Sequence, residues 1–92
     1  MRVLVLGSGG REHALVRALA RDSDVTSLHA APGNPGIAGL AQTHPVSLTD
    51  PADVCRLARD TGTALVVIGP EAPLVAGVGD AVRSAGIASS AV

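Results

Sequence analysis

Residues 3–6 read Val-Leu-Val-Leu and stop at Gly7, which is followed by Ser8-Gly9-Gly10 and then by a stretch of helical character. No other feature of the sequence restricts the fold as strongly. An aliphatic run rich in β-branched residues, without polar alternation, suits a strand covered on both faces, and such strands belong to parallel sheets flanked by helices. A second run of the same kind, Ala64-Leu65-Val66-Val67-Ile68, stops at Gly69-Pro70. Two buried strands that each lead through glycine into a helical segment imply an α/β protein.

Size and composition narrow this further. The chain has 92 residues, 47% of them hydrophobic, and contains no Phe, Tyr or Trp, so a single domain with a core of small aliphatics is expected. Its seven basic residues are all Arg, and eight acids bring the formal charge to −1. That balance argues against a sequence-independent grip on nucleic acid or on an anionic membrane, and the missing aromatics remove the platforms on which bases stack. The single cysteine, Cys55, excludes a disulfide framework and a cysteine-rich metal site; it reads as a buried structural thiol in a cytoplasmic protein. The longest apolar runs are far short of the roughly 18 residues that span a bilayer, and no signal-peptide pattern follows Met1.

Along the chain, residues 11–21 place Ala14, Leu15, Ala18 and Leu19 on one helical face, with Arg17 and Arg21 outside it. Residues 25–31 read as a second strand that ends in the breaker cluster Pro32-Gly33-Asn34-Pro35-Gly36. A short turn or helix over 37–42 and a weak strand over 43–48 follow, the latter pushed to a sheet edge by Pro45. Asp50 before Pro51 is an N-cap with proline at the first helical position, and Val54, Leu57 and Ala58 supply the apolar stripe of a helix ending near Thr61-Gly62. After the Ala64–Ile68 run, Leu74, Val75, Val78, Ala81, Val82 and Ala85 recur at helical spacing up to Gly86. Right-handed crossovers then give half of a doubly wound parallel sheet, a Rossmann-like α/β fold in which the first strand lies between the second and the fourth. Ligands collect where the carboxyl ends of those strands meet, and the loops 7–11, 32–36 and 69–73 reach that place.

Their chemistry points to a small anion. Gly7-Ser8-Gly9-Gly10 allows close backbone approach and opens a helix whose first N–H groups favour a phosphate, although a tight structural turn would look alike. Arg11, in the first turn, opposes the macrodipole unless an anion joins it; the plain alternative is a solvated arginine beside Glu12. Asn34 is either a turn residue or an amide that donates to and accepts from a sugar hydroxyl. Glu71 is either a solvated loop carboxylate or a group for ribose hydroxyls or an amine. A dinucleotide site fails on two counts: Glu12 stands where the fingerprint needs its third glycine, and the end of the second strand carries no acid. A triphosphate loop fails because no lysine follows the glycines, and a signalling receiver domain would need acids where Gly7–Gly10 stand. His13, His29 and His44 lack metal-ligand spacing, and no set of nucleophile, base and oxyanion donors can be assembled.

Three segments together carry a resemblance: Val3-Leu4-Val5-Leu6-Gly7-Ser8-Gly9-Gly10-Arg11-Glu12-His13-Ala14, Ala31-Pro32-Gly33-Asn34-Pro35-Gly36, and Val67-Ile68-Gly69-Pro70-Glu71-Ala72-Pro73-Leu74-Val75. In that order and spacing they resemble the amino-terminal domain of the phosphoribosylamine–glycine ligases, also called glycinamide ribonucleotide synthetases, over nearly the whole chain. The resemblance implies a pre-ATP-grasp domain of a purine-biosynthesis ligase that activates glycine as an acyl phosphate for attack by the amine of 5-phosphoribosylamine. It implies that residues 1–92 bind the phosphoribosyl substrate, with Gly9, Gly10 and Arg11 near the phosphate and Asn34, Gly69, Pro70 and Glu71 near the ribose and amine. ATP and Mg2+ (or Mn2+) are implied for the full-length enzyme, held with glycine by ATP-grasp domains of the same polypeptide, and no catalytic residue, metal or cofactor is expected here. The chain departs from the family after Ile87, where Ala88-Ser89-Ser90-Ala91-Val92 replaces an apolar strand ending in glycine and proline. That leaves the last strand in question and makes a fragment the expectation. The alternative is a stand-alone sugar-phosphate-binding or regulatory module without catalysis.

Overall fold

In the computed structural model, which describes residues 1–70, 72 and 77–92, the first aliphatic run forms strand β1 (Arg2–Gly7) at the centre of a five-stranded sheet. It pairs in parallel with β2 (Ser27–Pro32) on one side and β4 (Leu65–Ile68) on the other, in the register Val5↔Ala30 and Val5↔Val67. The edges are β3 (Gln42–Thr43), parallel to β2, and β5 (Ala88–Ala91), parallel to β4, so the order is β3-β2-β1-β4-β5. The expected α/β half sheet, with the first strand between the second and fourth, is therefore present.

Alternate side chains of β1 feed two cores, as the two-residue period of a strand requires. Leu4 and Leu6 join Ala31, Val66 and Ile68 beneath helices α3 (Pro51–Asp60) and α4 (Val78–Ser84), which contribute Val54, Cys55, Leu57, Ala58, Val78 and Val82. Val3 and Val5 join Ala30 and Val67 beneath helix α1 (Gly10–Ala20) and the short helix α2 (Pro35–Ala38), which contribute Val16 and Ile37. Cys55 is buried, as read from the sequence. Helix α3 begins as expected: the Asp50 carboxylate accepts the Ala52 N–H at 3.0 Å and Pro51 occupies the first turn.

Four expectations change. Helix α1 turns Glu12 and Val16 fully inward, with Leu15 and Leu19 packed beside them, while Ala14 and Ala18 face out. Its inner stripe is thus 12, 15, 16, 19; a carboxylate at the first position concealed it. Strand β2 starts two residues later than expected because Asp22 Oδ1 accepts from the Asp24 N–H at 2.9 Å, holding a turn there. Strand β3 is only two residues long: the His44 N–H still reaches Ala30 O at 3.0 Å, and then Pro45 offers no donor. A fifth strand does form from Ala-Ser-Ser-Ala, because an edge strand needs one ladder and little side-chain volume. Arg83 Nη1 also donates to Ser89 Oγ at 2.8 Å. The expected start of the last helix, Leu74 and Val75, lies outside the described residues.

Candidate functional site

The carboxyl ends of β1, β2 and β4 bring three loops together. Main-chain bonds tie them: the Gly33 N–H donates to Gly7 O at 3.1 Å and the Gly69 N–H to Leu6 O at 3.0 Å. Gly7, at φ 134°, makes a turn that an L side chain rarely enters, and its hydrogen leaves room for Glu12. Gly9 is the N-cap of α1 and has no side chain with which to cap it. The first-turn N–H groups of a helix point out of its amino end, where partial positive charge collects. A methyl group on Gly10 would meet nothing within 4 Å, so the backbone there borders open space. Arg11 follows and is exposed.

The structure reveals two organising residues that sequence reasoning passed over. Glu12 is fully buried, and its Oε1 accepts the Gly9 N–H at 3.1 Å. A methyl group on either Gly7 or Gly69 would stand 2.3 Å from Glu12 Cγ, so the side chain fills the seam between the ends of β1 and β4. The only signal in the sequence was the glutamate standing in place of a third glycine. His13 projects from α1 onto Gly36, where a methyl group would come within 2.5 Å of its Cε1.

Asn34 turns inward. Its Nδ2 donates to Ser8 O at 2.8 Å, and its Oδ1 accepts the Ile37 N–H at 2.9 Å, capping α2. Gly69 is buried at the end of β4 and Pro70 is exposed in the turn beyond it, whereas Glu71 lies outside the described residues. Gly9, Gly10, Arg11, Asn34, Gly69 and Pro70 therefore share one end of the sheet.

The other histidines stand apart. His29 Nδ1 and His44 Nε2 are 2.8 Å apart, and His29 Nε2 is 2.9 Å from Ser27 Oγ. Burial first, then the neighbouring His44 and Arg2, lower the pKa of His29 below its ordinary value. Among the described residues no three His, Cys, Asp or Glu side chains are grouped to hold a metal, and no helix is long and apolar enough to cross a membrane.

An open glycine turn leading into a helix, at the carboxyl ends of a doubly wound half sheet, defines an α/β domain of the Rossmann-like class. Residues 1–91 match the family described as phosphoribosylglycinamide synthetase, N domain, and the chain belongs to that family. It is 63% identical over 87 residues to the phosphoribosylamine–glycine ligase of Streptomyces coelicolor, covering 95% of this chain and 21% of that protein. To the enzyme of the same name from Agrobacterium fabrum it is 52% identical over 89 residues, covering 97% of this chain and 21% of the relative. The crystal structure of phosphoribosylamine–glycine ligase from Thermotoga maritima matches with a TM-score of 0.54 and 32% identity, over 74% of this chain and 15% of that one. The chain thus spans about a fifth of the length of the curated relatives it matches.

Proposed function

We propose that this domain binds the phosphoribosyl portion of 5-phosphoribosylamine within a cytoplasmic purine-biosynthesis ligase that joins the substrate's amine to glycine. The observation that carries the reading is the Gly9-Gly10-Arg11 turn: a glycine helix start with open space beside Gly10 and the exposed residue Arg11 next to it. A phosphate there would accept backbone N–H groups along the helix axis and a charge-assisted bond from Arg11. Gly69 and Pro70 border the same end and suit the ribose side, where a Cβ at residue 69 would obstruct Glu12.

The residues here do not fit ATP and its Mg2+ (or Mn2+). The sequence has no lysine to reach a triphosphate, and no metal-binding group of side chains exists among the described residues. Activation of glycine is accordingly assigned to ATP-grasp domains outside these residues.

Calorimetric titration with ribose 5-phosphate tests the reading. Arg11→Ala is expected to weaken binding by about 1.5–3 kcal/mol, the range for hydrogen bonds to a charged group. Arg17→Ala, on the exposed side of the same helix, is expected to change it little. Equal affinity of the two variants would remove the phosphate from this turn.

A further inference from the structure

We infer that Asn34 acts as a positioning residue, fixing the plane of the Ser8–Gly9 peptide so that the turn presents its ligand-binding face without Asn34 itself touching the sugar; this rests on the phosphate reading given above. Ser8 C=O and Gly9 N–H are the two ends of one peptide group. The carbonyl accepts from Asn34 Nδ2 at 2.8 Å, and the N–H donates to Glu12 Oε1 at 3.1 Å. A planar amide held at both ends cannot rotate about its flanking bonds without breaking a hydrogen bond. Glycine at positions 7, 9 and 10 would otherwise leave this stretch the least restrained part of the chain.

The Asn34 side chain is itself held firmly. Ile37 N–H needs an acceptor and Ser8 C=O needs a donor, so only one orientation of the amide serves both. Its backbone is extended, at φ −151° and ψ 174°, and Pro35 follows immediately. One residue earlier, the Gly33 N–H donates to Gly7 O at 3.1 Å. Residues 33 and 34 therefore grip residues 7 and 8 at consecutive points.

Two consequences follow for the ligand. The Gly9 N–H is engaged by Glu12, so an anion takes its backbone donors from Gly10 onward. Each polar atom of the Asn34 amide already has a partner in the fold that fixes its orientation, and its contribution to affinity is placed in the order of the turn.

The test separates the two ends of the Asn34 side chain. Ser and Asp are both good N-cap residues, so Asn34→Ser and Asn34→Asp both keep an acceptor for the Ile37 N–H; Asn34→Asp has no donor for Ser8 O, and Asn34→Ser replaces the amide donor by a shorter hydroxyl. Both are to be compared with the wild-type chain by thermal melting and by 15N relaxation without ligand. The expected result is a retained melting transition, with order parameters of the Gly9 and Gly10 amides falling from near 0.85 to below about 0.6 in both variants. Asn34→Ser, which adds no charge, should also bind ribose 5-phosphate about tenfold more weakly, the equivalent of one hydrogen bond. In the wild type the largest ligand-induced amide shifts should fall on Gly10 and Arg11.

Unchanged order parameters in both variants would overturn the inference. So would a dominant ligand-induced shift of the Asn34 side-chain NH2 resonances. Absence of any ribose 5-phosphate binding by the wild-type chain would defeat the phosphate reading instead, while the ligand-free measurements still decide whether Asn34 orders the turn.

Discussion

Glu12 shows how one residue can alter what a familiar turn does. In a dinucleotide turn, glycine at that position lets the helix pack closely on the strand. Here the glutamate enters the seam, and the glycine requirement moves to the two residues it touches, Gly7 and Gly69. Gly69→Ala is expected to destabilise the chain by about 1–3 kcal/mol through overpacking, read as a lower urea midpoint. Part of that cost belongs to Glu12 Cγ at 2.3 Å and part to Leu6 O at 2.8 Å. Combining it with Glu12→Ala should therefore cost less than the sum of the two single changes, and additive costs would show that Glu12 is not the obstacle. The sequence showed the glutamate in place of a third glycine but not its burial. A glutamate in the first turn of a helix is ordinarily a solvated partner of the macrodipole, and its burial follows from a seam that exists only once β1 and β4 are paired.

At the scale of elements, the edge where β2 meets β3 carries a chain of polar groups, from Ser27 Oγ through His29 to His44. His29 is buried, and burial, His44 and Arg2 all disfavour its protonated form. Between its lowered folded pKa and its ordinary value of 6.5, the unfolded chain binds more protons than the folded one, so stability rises with pH across that window. The contribution is complete above about pH 6.5 and is lost as the pH falls toward the folded pKa. Melting temperatures measured from pH 7.5 down to 5 should fall, and His29→Gln should flatten that slope; an equal slope in the variant would assign the acid sensitivity elsewhere. The element boundaries were legible where local chemistry decides them, as at Asp50-Pro51, whose cap forms as read. They were missed where a neighbour decides them: β3 ends when Pro45 has no donor for the ladder, and β5 forms because β4 offers an unpaired edge.

Across the whole molecule, the relatives are about five times longer than the stretch they share with this chain. The chain alone is expected neither to hydrolyse ATP nor to ligate glycine, and a phosphate-release assay with ATP, Mg2+, glycine and fresh phosphoribosylamine checks this. Turnover above a no-protein control would place catalytic groups within these residues. NAD is likewise expected to give no saturable calorimetric isotherm, because Glu12 fills the place of the third glycine and the end of β2, His29-Ala30-Ala31-Pro32, carries no acid for a ribose. A micromolar isotherm would show that the seam opens to admit a dinucleotide.

The sequence by itself determined the class of fold, the parallel central strands, their order and the family, because unbroken aliphatic runs, glycine stops and a capped helix are local signals that chain handedness converts into a topology. Tertiary structure alone decided which side chains the loops keep for themselves. The partner of the Asn34 amide is 26 residues away and the seam around Glu12 joins strands some 60 residues apart in the chain. Hydrogen-bond partners at such separations depend on sheet register and on the rotation of α1, which the packing of Val16 and Ile37 against β1 sets and no local pattern encodes.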